Sequence, residues 1–334
     1  MLGSRGEVTN LCLQLVACAA VALAIAAGLG GCGTQGVVLG TSSEYLVTTT
    51  DTLALPGEMI PLHARLQSGD LLTDRPGYVA LFYLDNQLYR AAQTDHEGIA
   101  TVWFTPLEPR DYIFTVRFSP AGFALGPPPP EGLMVRCRPS DTPIAIVDLD
   151  KTLVASPFEL VLIGDAQPMS DSLDVMRRLA GDYTIVYLTI RPSIFGPKSK
   201  HWLAEHGYPP APLLLSGGGG FVGGQQKYRL AMIAKIQSRF TNLRIGIGDK
   251  VDDGLAYSQA GMRALVVLEV EPFPTRASLR EKIDDVLTLP AGAQVVRNWR
   301  QVEQSIYGGE DYSPDRARRE LQEMAAQAPL EACK

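Results

Sequence analysis

From residue 143 onward, apolar runs of strand length alternate with helix-like stretches, and this alternation limits the folds open to the chain. The apolar runs are IAIVD, YTIVYLT, APLLLS, LRIGIGD and ALVVLEV, and stretches such as SDSLDVMRRLAG and KYRLAMIAKIQSRF separate them. Strands that alternate with helices form a parallel sheet covered on both faces. We therefore predict a doubly wound α/β domain with a five-stranded parallel sheet at residues 140–310, followed by a C-terminal helix and tail at 311–334.

Acidic and hydroxyl side chains follow these runs at one end. Asp148 and Asp150 follow the first run, Thr189 ends the second, and Asp249 and Asp253 follow the fourth. Because the carboxyl ends of parallel strands lie at the same edge of a sheet, we expect these side chains to converge in one crevice. Two carboxylates at alternate positions of an extended segment point the same way and repel unless a cation or a shared proton offsets their charge. Oxygen ligands in this number favour Mg²⁺.

Such a cluster can transfer a phosphoryl group. One carboxylate can attack phosphorus to form an aspartyl-phosphate, and a second can protonate the leaving alkoxide. A cation from the helix after the third strand would neutralise charge on the phosphoryl group. Lys227 lies at the start of that helix and is the preferred candidate, with Lys235 and Lys250 as alternatives.

Together these motifs resemble those of the haloacid dehalogenase-type phosphatases. Their first motif, DxDxT, stands here as DLDKT, the strand-ending threonine as VYLT, and the fourth motif, GDxxxD, as GDKVDD. The resemblance covers roughly residues 140–272 and implies that Asp148 is the nucleophile and Asp150 the general acid and base. It also implies that Mg²⁺ is held by Asp148, the backbone carbonyl of Asp150 and Asp249 with support from Asp253, and that phosphate is held by Thr189 and Lys227. Asp252 is the alternative to Asp253 within the fourth motif.

The intervals between the motifs bear on the substrate. No cap domain fits between Thr152 and Thr189 or between Thr189 and Lys227, and a capless site suits large or membrane-embedded substrates. The segments YLTIRP, HWLAEHGYPPAPLLLS and GIGDKVDDGLAYSQAGM are similar to the catalytic domain of lipins and their Lipin/Ned/Smp relatives, which dephosphorylate phosphatidate with Mg²⁺. The chain departs from lipins in having DLDKT in place of DIDGT and Asp249 where lipins often have asparagine.

We therefore predict a Mg²⁺-dependent phosphomonoesterase that acts on phosphatidate or a related lipid phosphate. One alternative is a periplasmic acid phosphatase acting on soluble phosphomonoesters or nucleotides. The others are a non-catalytic lipid-phosphate-binding protein and an adhesion lipoprotein. The formal net charge of -6 argues against a nucleic-acid partner, because such proteins usually present a basic face.

Residues 45–139 show a different pattern, in which short runs rich in β-branched and aromatic residues alternate with turn formers. The runs include MIPLHARL, GYVALFYLD, QLYRAAQTD, GIATVWFT and DYIFTVRF, a spacing that is typical of a β-sandwich. The segments TDHEGIA and DYIFTV resemble a hairpin and a late strand of the immunoglobulin-like modules of bacterial surface proteins. That resemblance makes Tyr112 a candidate tyrosine corner and leaves a protein partner of the sandwich open.

The N-terminal segment predicts export. LCLQLVACAAVALAIAAGLGGC is an apolar run with the shape of a secretory signal, and its ending LGGC resembles the lipobox of bacterial lipoproteins. We predict a signal peptide at 1–31, lipid modification of Cys32 and a flexible tether at 32–44. The mature protein would be anchored to a bacterial membrane on its periplasmic or cell-surface side. An uncleaved transmembrane helix is the alternative.

Two further cysteines, Cys137 and Cys333, remain in the predicted mature chain besides Cys32. In an oxidising compartment they could pair, or both could be free thiols, and the sequence leaves these alternatives open.

Overall fold

The structure is a computed structural model that describes residues 45–69, 71–124, 126–155, 166–216 and 225–330. A β-rich N-terminal region precedes a C-terminal α/β region, as predicted. The strands are β1 (Tyr45–Thr49), β2 (Thr52–Ala54), β3 (Ile60–Ser68), β4 (Thr73–Asp74), β5 (Val79–Leu84), β6 (Gln87–Gln93), β7 (Ile99–Phe104), β8 (Asp111–Phe118), β9 (Glu131–Cys137), β10 (Ile144–Val147), β11 (Thr184–Pro192), β12 (Leu213–Ser216), β13 (Leu243–Gly248), β14 (Arg263–Val267) and β15 (Gln294–Val296). The α-helices are α1 (Ser172–Asp182), α2 (Gly196–Glu205), α3 (Gln225–Gln237), α4 (Val251–Gln259), α5 (Arg276–Leu287), α6 (Trp299–Tyr307) and α7 (Pro314–Gln327).

The strands of the β-rich region form two sheets. One has the order β1-β3-β4 with β7 also paired to β3, and the other has the order β2-β9-β8-β5-β6. Leu62 from the first sheet and Phe82 and Phe114 from the second are fully buried in one shared hydrophobic cluster. The five quoted runs correspond to β3, β5, β6, β7 and β8. The short strands β1, β2 and β4 were not predicted, because a few residues give too little alternation to detect.

Tyr112 makes the local contact expected of a tyrosine corner. Its hydroxyl donates to the Glu108 carbonyl oxygen at 3.2 Å and accepts from the Glu108 N–H at 3.1 Å. These are hydrogen bonds to backbone a few residues upstream, which is the defining feature of that corner. The assignment of the β-rich region as immunoglobulin-like stays a prediction.

Cys137, at the end of β9, is buried in the same cluster, and burial raises the pKa of its thiol. Cys333, Cys32 and the rest of the predicted signal and tether lie outside the described residues. The two alternatives for Cys137 and Cys333 are therefore untested, and the signal peptide and the lipid modification stay predictions. Among the residues that the structure describes, no helix is both long and apolar enough to cross a membrane.

The α/β region contains a parallel sheet of six strands in the order β12-β11-β10-β13-β14-β15. The parallel arrangement was predicted correctly, but the prediction of five strands was wrong by one. The missed strand, β15, has only three residues and lies at the edge of the sheet. Helices cover both faces: Tyr257 of α4 and Leu321 of α7 pack in one hydrophobic cluster, and Met176 of α1 and Trp299 of α6 pack in the other.

The centre of this sheet determines where the polar strand ends meet. All four residues of β10 are buried, and the strand lies between β11 and β13. Val147 is in register with Tyr187 on one side and Ile247 on the other. Since all three strands are parallel, the residues that follow these positions emerge at one edge of the sheet.

A partly buried ionic contact joins the two regions. Lys200 of α2 places its ammonium 2.8 Å from the Asp51 carboxylate and 3.9 Å from the Glu131 carboxylate, both in the β-rich region. Burial raises the pKa of Glu131 to about 7, and the charge of Asp51 adds to this shift while Lys200 opposes it.

We expect Glu131→Gln to stabilise the protein at pH 8 and to change its stability little at pH 4. The pKa of Glu131 in the folded protein lies above its ordinary value of 4.5, so its stabilising contribution is complete below that value and is lost as the pH rises through about 7. The neutral amide removes this loss, which corresponds to a gain of roughly 3 kcal/mol in the free energy of unfolding at pH 8. Urea unfolding at the two pH values measures it, with Glu323→Gln at an exposed position of α7 as control. Equal effects of Glu131→Gln at both pH values would contradict the prediction.

Candidate active site

Three carboxylates meet at the carboxyl edge of the parallel sheet. One oxygen from each of Asp148, Asp249 and Asp253 lies within 4.8 Å of the others. Asp148 follows β10, Asp249 follows β13, and Asp253 lies in the first turn of α4, where its carboxylate accepts the Lys250 N–H at 3.2 Å. Gly248 permits this close approach, because a Cβ at that position would overlap the Asp253 carboxylate. The structure therefore brings these three predicted site residues together.

Arg229 of α3 supplies a cation to this carboxylate cluster. Its side chain is only 3% exposed. Its Nη2 donates to Asp148 Oδ2 at 3.2 Å, and its Nε lies 2.8 Å from Asp253 Oδ1. Its Nη1 donates to the Leu188 carbonyl oxygen and to the Tyr257 hydroxyl, at 3.3 and 3.2 Å. Contacts with β11 and α4 thus fix the guanidinium beside two of the carboxylates.

All three carboxylates of the cluster have raised pKa values. Burial raises the pKa of Asp148 to about 6 and the pKa of Asp249 to about 7, and neighbouring carboxylates add to both shifts while Arg229 opposes them. Burial also raises the pKa of Asp253. With three carboxylates around one guanidinium, the ionised cluster carries an excess of two negative charges.

These residues fit a hard divalent cation. Asp148 Oδ1 is buried and has no hydrogen-bond partner among the described residues. Leaving a buried acceptor unsatisfied typically costs about 1–3 kcal/mol, so this oxygen is suited to a ligand or an ion. A divalent cation held by the three carboxylates would satisfy the oxygen and neutralise the excess charge, and carboxylate oxygens are the ligands that Mg²⁺ prefers.

A second arginine holds Asp150. Arg191, near the end of β11, is 2% exposed and donates through Nε to Asp150 Oδ2 at 2.9 Å and through Nη2 to Oδ1 at 2.6 Å. Its Nη1 donates to Ser199 Oγ of α2 at 2.8 Å. Thr189 is fully buried, and its Oγ1 accepts the Arg191 N–H at 3.2 Å.

The two acidic residues of DLDKT thus differ from the simplest expectation. The strand ends at Val147, so Asp148 and Asp150 do not continue it. Asp148 pairs with Arg229 and Asp150 with Arg191, and the two like charges are offset by separate guanidinium groups. Placing two carboxylates near each other is tolerated here because each has its own buried cation.

Lys227 does not join the carboxylate cluster. Its side chain is exposed in the first turn of α3, and so is that of Lys235 further along the helix. Arg229 is the buried cation that sequence reasoning missed. The sequence does contain a pattern that indicates its burial. Arg229 precedes Ile233 by four residues and Ile236 by seven, and this spacing places all three on one helix face. Both isoleucines are buried.

We expect Lys227→Met to change the free energy of unfolding by less than about 0.5 kcal/mol, as is usual for exposed positions. Hydrolysis of any phosphate ester that the protein turns over should stay within about twofold, because Lys227 is exposed and forms no ion pair with a carboxylate among the described residues. Urea unfolding and initial rates measure both effects, with Lys235→Met as the matched exposed control. A large fall in rate with Lys227→Met alone would restore Lys227 as the phosphate-binding residue.

The chemistry of the site has a counterpart among known families. Residues 145–270 match the family model described as PITM 1-3, LNS2 domain. This domain is lipin-like and of the haloacid dehalogenase type, so the match agrees with the resemblance predicted for that segment. The matched segment contains all of the acidic residues and both arginines of the site. A search of curated protein sequences found no match.

Three solved structures that resemble the chain each cover less than a third of it. The D0-D1 domain of intimin is 14% identical, with 31% of this chain and 58% of that chain covered and a TM-score of 0.23. The fibronectin(III)-like modules of Clostridium thermocellum CbhA are 13% identical, with 28% and 47% covered and a TM-score of 0.22. The titin M3 domain is 10% identical, with 28% and 96% covered and a TM-score of 0.21. Likenesses this weak carry no argument about fold or function.

Proposed function

We propose that the α/β region is a Mg²⁺-dependent phosphomonoesterase that works through an aspartyl-phosphate intermediate. The observation that carries the proposal is the buried Asp148, whose Oδ1 has no partner among the described residues and which lies beside two further carboxylates and the Arg229 guanidinium. The match of residues 145–270 to a lipin-like phosphatase family supports the same chemistry.

In the first proposed step, an oxygen of Asp148 attacks the phosphorus of the ester. The new bond joins Asp148 to phosphorus, the bond to the leaving alkoxide breaks, and Asp150 gives its proton to that alkoxide. The Arg229 guanidinium offsets negative charge at the reacting centre, and the Thr189 hydroxyl is available to donate to a phosphoryl oxygen. Asp148, Arg229 and Thr189 occupy buried positions, and Asp150 is partly buried.

In the second proposed step, water attacks the phosphorus of the aspartyl-phosphate. The Asp150 carboxylate takes a proton from this water, the bond between Asp148 and phosphorus breaks, and inorganic phosphate leaves. Asp148 returns as a carboxylate and Asp150 as the protonated acid. A carboxylate has about four lone-pair sites, so Asp150 can keep its contacts with Arg191 while it exchanges a proton.

We assign Asp148, Asp249 and Asp253 as side-chain ligands of Mg²⁺, with the Asp150 carbonyl oxygen as a further ligand. When bound there, the ion supplies positive charge that stabilises the transferring phosphoryl group. Because it would also neutralise the carboxylate cluster, Mg²⁺ should stabilise the folded protein as any ligand of the native state does.

The proposed substrate class is phosphatidate or a related lipid phosphate. The LNS2 match and the short intervals between the motifs support it, because a capless site admits a substrate embedded in a bilayer. A lipid anchor on Cys32 would further confine the enzyme to its membrane and to substrates in it. Export and anchoring belong to this proposal.

The test is release of phosphate by the purified full chain, assayed with phosphatidate vesicles and with a soluble alkyl phosphate, with Mg²⁺ and with chelator. We expect Mg²⁺-dependent release and a kcat/KM for the vesicles at least about tenfold above that for the soluble ester, a difference of about 1.4 kcal/mol in transition-state stabilisation. Turnover of both substrates without preference would favour a phosphatase for soluble esters. Vesicle binding without turnover would overturn the phosphatase and favour a lipid-phosphate-binding protein.

A further inference from the structure

Lys200 of α2 is anchored inside the β-rich region. Its Nζ donates to Asp51 Oδ1, to Thr49 Oγ1 and to the Gly132 carbonyl oxygen, each at 2.8 Å. These three acceptors come from the β1–β2 corner and from β9. The three donor sites of an ammonium group therefore all have partners in the β-rich region.

Asp51 accepts hydrogen bonds from residues of both regions. It is 3% exposed, and besides Lys200 it accepts the Met134 N–H through Oδ1 at 2.9 Å. Its Oδ2 accepts the Leu213 N–H at the start of β12 at 3.1 Å. One buried carboxylate thus fixes α2 and β12 of the α/β region against β9. A buried carboxylate with this many hydrogen bonds specifies geometry better than an exposed ion pair does.

Ser199, the residue before Lys200, contacts an arginine of the candidate active site. Ser199 is 1% exposed and accepts from Arg191 Nη1, while the other two guanidinium nitrogens of Arg191 donate to the Asp150 carboxylate. Ser199 and Lys200 are consecutive residues of one helix, so the anchor on Lys200 also determines where Ser199 lies. A continuous series of contacts runs from Asp51 to Asp150.

We propose that the β-rich region positions the acid of the phosphatase: Asp51 holds α2 through Lys200, and α2 holds Arg191 through Ser199, which keeps Asp150 in place. This inference rests on the proposed phosphatase function. Lys200 and Ser199 are positioning residues, since they act through Arg191. The β-rich region then has a role in the reaction itself, whatever partner its outer surface binds.

The leaving group provides a readout that separates positioning from general stability. An alkoxide must be protonated as it leaves, whereas p-nitrophenolate is a stable anion that leaves without a proton. kcat/KM reports the steps up to departure of the leaving group. Misplacement of Asp150 should therefore lower kcat/KM for an alkyl phosphate and spare p-nitrophenyl phosphate, while partial unfolding lowers both equally.

The experiment compares Lys200→Met and Ser199→Ala in the full chain, with short-chain phosphatidate and p-nitrophenyl phosphate as substrates. We expect the ratio of kcat/KM for the alkyl ester to that for the aryl ester to fall about tenfold in each variant, a partial loss of the roughly 10²–10⁴-fold that a general acid contributes. Lys200→Arg, which keeps the charge, should recover part of the ratio.

The matched control is Arg239→Met. Arg239 also joins the two regions, through Nη1 to the Leu53 carbonyl oxygen at 3.1 Å and to Glu58 Oε1 at 3.0 Å, but it makes these contacts away from α2. In Arg239→Met, the ratio of kcat/KM for the alkyl ester to that for the aryl ester should match the ratio of the unmodified protein. An unchanged ratio in Ser199→Ala overturns the inference, including the case in which Lys200→Met does not fold. Failure of the unmodified protein to turn over either ester overturns the proposed function instead.

Discussion

Asp148→Asn is expected to lower phosphate release from phosphatidate by at least about 10⁴-fold, in line with the loss of other enzymic nucleophiles. A neutral amide oxygen does not attack phosphorus, so no covalent intermediate forms. Asparagine has nearly the volume of aspartate, and its amide oxygen can still accept from Arg229 Nη2, which now donates to Asp148 Oδ2. The loss should therefore be one of chemistry, and steady-state release of phosphate with Mg²⁺ present measures it.

The control for this substitution is Asp252→Asn. Asp252 is exposed on α4 beside the buried Asp253, and we expect its variant to retain activity within about twofold, as for other surface changes. Acid quenching during turnover should trap phosphate covalently on the unmodified chain and on Asp252→Asn, but not on Asp148→Asn. If Asp148→Asn folds normally and still releases phosphate at a few per cent of the original rate, Asp148 is not the nucleophile.

The positions of Asp148 and Asp249 could be predicted because they follow apolar runs of strand length in the sequence. The run IAIVD is buried at every residue of β10, and such a run favours a central strand of a parallel sheet. Once β10 and β13 are parallel neighbours, Asp148 and Asp249 must emerge at the same edge. Short elements carry less pattern, which is why β15 was missed.

The positions of Arg229 and Arg191 in the site depend on how helices pack against the sheet. No short stretch of the sequence indicates that packing. Arg229 belongs to the site because α3 presents its buried face to the sheet edge, and a charged residue on such a face is uncommon. The contact of Lys200 with Asp51 joins positions 149 residues apart, and no spacing rule connects them. Arg191 follows Thr189 in the sequence, but its pairing with Asp150 and Ser199 becomes evident only when β11 and α2 are in place.

Arg229→Met tests whether the buried guanidinium is what makes the carboxylate cluster tolerable. In metal-free buffer at pH 8, we expect it to lower the free energy of unfolding by about 3–5 kcal/mol, because it leaves Asp148 and Asp253 buried without their cation. Arg244→Met on β13 is the matched control, since Arg244 is exposed and the same change there should cost less than about 0.5 kcal/mol. Midpoints of urea unfolding measure both variants.

The sign of the pH and metal effects distinguishes a charge effect from lost packing. Burial already raises the pKa of Asp148 to about 6, and removal of Arg229, which opposes that rise, should raise it further. Protonation then neutralises the carboxylates at lower pH, so the loss of stability should be smaller at pH 5 than at pH 8. Mg²⁺ should stabilise Arg229→Met more than the unmodified protein, because the variant's cluster is more negative and binds the ion more tightly. A loss of stability that is the same at both pH values and unaffected by Mg²⁺ would mean that Arg229 contributes by packing, and that the three carboxylates do not form a cation site.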